Sequence, residues 1–306
     1  MNFLKHIKTL SKTFVKGTFE NLRFNKDKIL REYILKERIS NVIVSLTTYH
    51  PRLQFFEFSI LSILNGSILP DKILIYVPKG FLSLVMNNDK SFLKNELNKG
   101  FIHIIEMDVD LKCHSKYYYS FENYGEENDI ILIDDDVVYY KNWLEDIIKD
   151  AHSETNYDIF AFKCVAVKIN EETIEPYSEW THCSKDLICK NGLLYTEGVG
   201  GVFYRRNKLK HEVLNKDKFM KLAPNADDVW LWFCTHYNSL KIKFIIPSNG
   251  QKLLYVIPNS QVVNLWAENT FNNRNDQYIR NCYKYFKEDL NFDIVNNFQF
   301  LEKKIH

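Results

Sequence analysis

The sequence predicts an α/β protein built on a doubly wound, mostly parallel sheet flanked by helices. Three observations point there. Short β-rich apolar runs alternate with segments of helical spacing through the first half of the chain. With 306 residues, 45% of them apolar and 26% charged, burying a large core is no difficulty. No internal repeat is present, and no linker rich in Gly, Pro or Ser marks a boundary.

The elements follow in order. "NVIVSL" (41–46) is the first strand. "LQFFEFSILSIL" (53–64) carries helical spacing and stops at Asn65-Gly66, a C-terminal signal. "KILIYV" (72–77), closed by Pro78, is the second strand. A helical stretch near 90–98 leads to "FIHIIEM" (101–107), the third. "KYYYSFENY" (116–124) reads as helical, and "IILI" (130–133) is the fourth strand. Beyond Asp158 the pattern loosens. "IFAFKCVAV" (159–167) reads as one strand, "GGVFY" (200–204) as another, "DDVWLWFCTHY" (227–237) as a helix and "KFIIP" (243–247) as a last strand.

The net charge of +1 gives no argument for a nucleic-acid partner. It hides an asymmetry, because residues 1–40 hold ten Lys/Arg against four Asp/Glu. Within residues 1–16, Phe3, Leu4, Ile7, Leu10 and Phe14 recur at helical spacing with lysines between them. That is a basic amphipathic arm, suited to an anionic membrane surface or to packing as an ordinary helix. No apolar stretch approaches the ~20 residues of a membrane span. The six cysteines form no C-x-x-C pair and read as reduced thiols.

The chemistry concentrates in "IILIDDDVVYY" (130–140), where Asp134, Asp135 and Asp136 end the fourth strand. Adjacent carboxylates repel and call for a cation or a set of donors. In an open parallel sheet such strand ends line the ligand crevice. On an extended backbone Asp134 and Asp136 share a face, and two convergent carboxylates hold Mg²⁺ or Mn²⁺ when substrate phosphates complete the shell. A second acidic pair, Asp227-Asp228, opens a helix in "APNADDVWLW" (223–232), with Asn225 as its expected N-cap.

"SLTTYHPRL" (45–53), "SILNGSILPDKILIYVP" (62–78), "ILIDDDVVYYKNWLEDI" (131–147), "EGVGGVFYRR" (197–206) and the Asp227-Asp228 segment follow one another in order. This succession resembles bacterial family 2-type glycosyltransferases of the GT-A fold, particularly those of capsule and lipopolysaccharide biosynthesis. The resemblance covers roughly residues 41–240. It implies one catalytic domain over 41–306, with a nucleotide-sugar half (41–150) and an acceptor half with a C-terminal tail (151–306), preceded by the basic arm (1–40).

The resemblance also implies roles. Thr47, Thr48, Tyr49 and Arg52 would hold the base and ribose, and Lys116 would steady the donor nucleotide. Asp134 and Asp135 would contact the donor, with Asp134 also at the metal or its water. Asp136 would hold Mn²⁺ or Mg²⁺ on the diphosphate. Gly200 and Gly201 would let backbone approach the donor sugar. Asp228 would be the catalytic base, with Asp227 beside it. The expected reaction is inverting, non-processive transfer from a nucleoside-diphosphate sugar, a UDP-sugar foremost, to a hydroxyl of a glycan or glycolipid. The Q-x-x-R-W motif of processive relatives is missing. The expected place is the cytoplasm, with residues 1–16 against the inner face of the membrane.

Other positions weigh less. One of Trp230 and Trp232 is expected in the core and the other under an acceptor, with Trp180 as a candidate for stacking on a sugar. His182 and His236 read as structural. Asn275 or Asp276 would let the tail close over the donor. Two rival readings are a haloacid-dehalogenase-like phosphatase with Asp134 as nucleophile, and a non-catalytic sugar-binding protein on the same fold.

Overall fold

A computed structural model describes residues 22, 25–170, 172–184, 193–210, 212–248, 254–257, 260 and 274–298. The amphipathic arm of residues 1–16, Cys189 and residues 271–273 of the Asn-rich tail lie outside the described residues.

Helix α1 (Lys26–Glu32) leads into strand β1 (Arg38–Thr47), which starts three residues ahead of the run at 41–46. Helix α2 (Phe56–Leu64), strand β2 (Leu69–Val77), helix α3 (Phe81–Asn87), the short α4 (Leu93–Glu96) and strand β3 (Ile102–Glu106) complete the first parallel unit. Helix α5 (Ser115–Tyr124) then returns the chain to β4 (Asp129–Leu132), followed by β5 (Val137–Tyr139) and α6 (Trp143–Ser153).

The second half supplies β6 (Ile159–Ala161), β7 (Cys164–Ala166), β8 (Thr181–His182), β9 (Leu194–Thr196) and β10 (Val202–Tyr204). Helices α7 (Lys216–Leu222) and α8 (Asp227–Tyr237), strands β11 (Ile242–Phe244) and β12 (Leu254–Val256), and helix α9 (Arg274–Glu288) follow.

The central sheet has the order β11-β6-β10-β4-β1-β2-β3. All its pairings are parallel except those of β10, which runs antiparallel between β4 and β6. The fold is therefore mixed α/β with a mostly parallel sheet, as the alternation of elements predicts. Side-chain alternation explains the two covered faces. Val42, Val44 and Leu46 of β1, with Ile73 and Ile75 of β2, pack with Phe56 of α2 and Trp143 of α6. Ile43 and Leu74 point the other way, into the core of Tyr117, Trp230 and Phe286.

The winding locates the crevice. From β1 the sheet grows through β2 to β3 on one side, and then resumes with β4 on the other. The reversal falls between β1 and β4, and it is there that an open α/β sheet receives ligands. Thr47 and Thr48 end one of these strands, and Asp134–Asp136 follow the other.

One expected strand is two. "IFAFKCVAV" breaks after Ala161, with β6 in the central sheet and β7 in a three-stranded sheet of order β8-β7-β9. The break has a non-local cause. The Lys163 carbonyl accepts the N–H of Glu197, and Gly200 lies against Lys163, so the 197–200 loop crosses where the strand would have continued.

Gly201 closes that loop at φ +82°, and a Cβ there would lie 2.4 Å from Cζ2 of the buried Trp143. The Trp143 indole N–H donates to the Gly200 carbonyl at 2.9 Å. Gly201→Ala is expected to cost roughly 2–4 kcal/mol, combining overpacking with a left-handed backbone. Urea unfolding would show this as a lower midpoint; an unchanged midpoint would mean that the loop can move off Trp143.

Candidate active site

The end of β1 is turned inward by hydrogen bonds. Thr47 Oγ1 and the Thr48 N–H donate to the Tyr76 carbonyl at 2.9 and 3.2 Å. The Thr48 hydroxyl donates to Asp135 Oδ2 at 2.6 Å. A short 3-10 turn over His50–Arg52, started by Pro51, brings the Arg52 guanidinium onto Asp135 and to 3.0 Å from Asp136. Tyr49 is half-buried, with its ring 5.9 Å from the Arg52 guanidinium. Thr48 and Arg52, expected at a nucleotide, thus hold the acidic triplet.

The triplet does not run extended. The chain turns at Asp135-Asp136, so the shared face expected of Asp134 and Asp136 gives way to a different division. Asp135 and Asp136 both meet Arg52, while Asp134 faces helix α5. The Asp134 N–H donates to the Tyr139 hydroxyl at 3.1 Å, and Asp136 accepts the Ile257 N–H on its carbonyl at 2.8 Å. Strand β12 therefore pairs with β5 directly behind the triplet and brings the buried Ser260 hydroxyl to 3.5 Å from Asp136 Oδ2.

Lys116 is the pivot. Its Nζ lies 2.8 Å from Asp134 Oδ1 and 3.1 Å from Asp227 Oδ2, with the side chain almost wholly buried. Burial lowers the pKa of this ammonium, but Asp134, Asp227 and Asp228 outweigh it, so Lys116 stays charged. Its helix is fixed from below: the buried Ser45 hydroxyl donates to the Lys116 carbonyl at 2.6 Å and accepts from Ser120 at 2.8 Å.

The acidic pair is held as tightly. Helix α8 begins at Asp227 with Ala226 as N-cap, not Asn225, whose side chain instead accepts from Lys112 Nζ at 3.0 Å. His114 clamps the preceding loop. Its ring stacks on Phe219 at 4.4 Å, its Nε2–H donates to the Ala223 carbonyl at 2.8 Å, and Nδ1 lies 3.1 Å from the Tyr117 hydroxyl. Burial pushes the His114 pKa down to about 4, so this fully buried ring is neutral. Asp228 Oδ2 accepts the Gly198 N–H at 3.0 Å, and a Cβ on Gly198 would meet Asp228 Oδ1 at 2.9 Å. The glycine loop is thus shaped around this carboxylate.

Among the described residues no group of three or more ligating side chains gathers. The charge balance nevertheless fits a divalent cation. Among the described residues, Asp134, Asp135, Asp136, Asp227 and Asp228 have Arg52 and Lys116 close by. Burial, and then Asp134, raises the Asp136 pKa to about 6; burial also raises Asp135. Crowded, poorly solvated carboxylates of this kind are relieved by added positive charge. With two protein carboxylates at most, phosphate and water would have to complete the shell, as Mg²⁺ and Mn²⁺ commonly arrange it.

The three candidate tryptophans serve the core. Trp230, Trp232 and Trp180 are buried, and their indole N–H groups donate to the carbonyls of Val213, Leu194 and Glu175. None floors an open pocket, because each ring is enclosed by other aromatics. His236, as expected, is structural, with Nε2 3.3 Å from the Leu194 carbonyl. Asp276 accepts the Tyr177 N–H at 2.8 Å, which ties α9 to the turn before Trp180. Sequence reasoning missed Ser45, His114 and Glu197. Ser45 and Glu197 open the stretches 45–53 and 197–206, and His114 stands two residues before Lys116, but nothing in their spacing set them apart.

No protein-family model matches the chain, and no curated protein matches it in sequence. Among the solved structures to which the chain is similar, two serve as examples. The crystal structure of residues 1–349 of S. aureus TarS has a TM-score of 0.44 at 12% identity, covering 83% of this chain and 72% of that one. The 4-diphosphocytidyl-2C-methyl-D-erythritol synthase of Anaerococcus prevotii has a TM-score of 0.40 at 10% identity, covering 78% of this chain and 97% of that one. The chemistry of the site stands on its own residues.

Proposed function

We propose that the chain is a metal-dependent, inverting, non-processive glycosyltransferase of the GT-A type. It would move a sugar from a nucleoside diphosphate, a UDP-sugar foremost, to a hydroxyl of a glycan or glycolipid in surface-polysaccharide assembly. The observation that carries this reading is the meeting of two acidic groups across Lys116 at the sheet's reversal point. One group suits a diphosphate with its cation, and the other suits a hydroxyl to be deprotonated. The reading places the enzyme in the cytoplasm, with residues 1–16 against an anionic membrane face.

The following roles would fit this geometry. Asp134 and Asp136 would hold Mn²⁺ or Mg²⁺, which when bound would offset charge on the departing diphosphate. Thr47 and Tyr49 would meet the nucleoside, and Thr48 and Arg52, both bonded to Asp135, would keep the triplet in place. Gly200 and Gly201, packed on Lys163 and Trp143, would set the course of the loop beside the donor sugar. Asp228 would take the acceptor's proton as its oxygen bonds to the anomeric carbon and the bond to the diphosphate breaks. In-line attack inverts that carbon. Burial, and then the neighbouring Asp227, raises the Asp228 pKa well above the usual carboxylate range, which strengthens it as a base. Lys116 would hold Asp227, and so the start of α8, at a fixed distance from the donor.

No observation favours the phosphatase alternative: Asp134 follows the fourth strand of the chain and is engaged by Lys116. The test is a thermal-shift screen of UDP-glucose, UDP-galactose and UDP-N-acetylglucosamine with Mn²⁺. Donor at ~100-fold its Kd should add ~2.7 kcal/mol to the native state and raise Tm by several degrees. No shift with any nucleotide sugar, with or without the metal, would count against the reading.

A further inference from the structure

One carboxylate beside the base is unused by the mechanism above. Glu197 sits between Thr196 and Gly198, both buried, yet is itself only half-buried. Its backbone is fixed at both ends: its N–H donates to the Lys163 carbonyl at 3.0 Å, and the next N–H, of Gly198, donates to Asp228. The side chain has a definite course. Oε1 accepts the Tyr177 hydroxyl at 2.8 Å, and Oε2 lies 3.7 Å from His182 Nδ1. Gly198, which meets Asp228, is the next residue, so Glu197 adjoins the base along the chain.

The support beneath it is rigid. Val165 of β7 pairs with His182 on one side and Tyr195 on the other. Tyr177 packs on the buried Trp180 and Tyr195, and its N–H is tied to Asp276 of α9. The His182–Glu197 separation is too long for a hydrogen bond. A hydroxyl seated at the apex of the two groups could donate to Glu197 and bond to Nδ1 of His182, whose side chain is largely exposed.

We propose that Glu197 and His182 bind a hydroxyl of the acceptor sugar, next to the one that Asp228 deprotonates, and so select an uncharged glycosyl acceptor. The proposal rests on the glycosyltransferase reading. Adjacent hydroxyls on a pyranose ring would engage the two carboxylates together. An acceptor with a carboxylate or phosphate at this position would instead face Glu197, Asp227 and Asp228, and Lys116 is already committed to Asp134 and Asp227. Like charges so placed favour the neutral sugar.

The experiment compares octyl hexosides with octyl glucuronide as acceptors, using the UDP-sugar panel, and measures acceptor-free hydrolysis of the donor in parallel. Wild type should use the hexosides and discriminate against the glucuronide. Glu197→Gln, which can still accept from Tyr177, should raise the acceptor KM about 10-fold while donor hydrolysis stays within about twofold. It should also narrow the discrimination against the glucuronide. Tyr177→Phe leaves the carboxylate in place and should have the smaller effect on acceptor KM.

Equal or better use of the glucuronide overturns the proposal. So does donor hydrolysis with no use of any hexoside, an unchanged acceptor KM in Glu197→Gln, or a parallel loss of donor hydrolysis in that variant. A wild-type chain that turns over no sugar nucleotide sinks the functional reading, and this inference with it.

Discussion

Asp228→Asn is expected to lower sugar transfer by ~10²–10⁴-fold, the usual contribution of a general base, while nucleotide and metal binding persist. The substitution is nearly isosteric. The Asn carbonyl oxygen can still accept the Gly198 N–H that Asp228 Oδ2 accepts at 3.0 Å, so the glycine loop should keep its shape. The contacts of Asp134 and Asp136 with Lys116 and Arg52 are untouched. Asp227→Asn tests the neighbouring role. It weakens the 3.1 Å pairing with Lys116 and should reduce transfer less, through positioning. Initial rates of both variants at saturating donor decide the matter. A severe loss in Asp227→Asn with a mild one in Asp228→Asn would move the base one residue earlier. Normal rates in both would leave the proposed mechanism without a base.

The second large effect concerns the cation. EDTA should abolish transfer and Mn²⁺ or Mg²⁺ should restore it, a change of roughly 10³-fold or more given the several kcal/mol a metal supplies at a leaving group. Asp136→Ala should lose metal-dependent nucleotide binding in calorimetry. It should not unfold the protein, because Arg52 keeps Asp135 as a partner and Ile257 bonds to the backbone of residue 136. Full turnover in EDTA would show that Arg52 and Lys116 alone meet the charge of the diphosphate.

The strands of the first half were legible along the chain because each run is short, apolar and bounded, and because side-chain alternation along β1 and β2 serves two covered faces. Helix α3 went unseen. Its apolar residues include Leu84 and Met86, which remain exposed, so no clean stripe marks it. The break between β6 and β7 could not be read locally, because its cause is a loop some 35 residues onward in the chain. The positions of the acidic residues were legible, but their partners were not. Arg52 meets Asp135 only because β1 and β4 are neighbours, with Ser45 opposite Leu132. That adjacency comes from the winding of the sheet. The tryptophans of α8 misled for a related reason: an aromatic side chain looks the same in sequence whether it faces a sugar or a core.

Lys116 has a consequence for engineering. It lies in the first half of the chain, yet one of its two carboxylate partners, Asp227, lies in the second. A chimera that joined residues 1–150 to a foreign acceptor half would carry this lysine into an unfamiliar junction. Unless the graft brought an acid at the start of its corresponding helix, a buried ammonium would keep one partner where it had two. Breaking such a pair by removing one side can cost ~3–5 kcal/mol. On the proposed function, exchange of acceptor specificity should therefore succeed by substituting Tyr177, His182 and Glu197 within an unaltered frame, and fail when the cut separates Lys116 from the acid it was folded against.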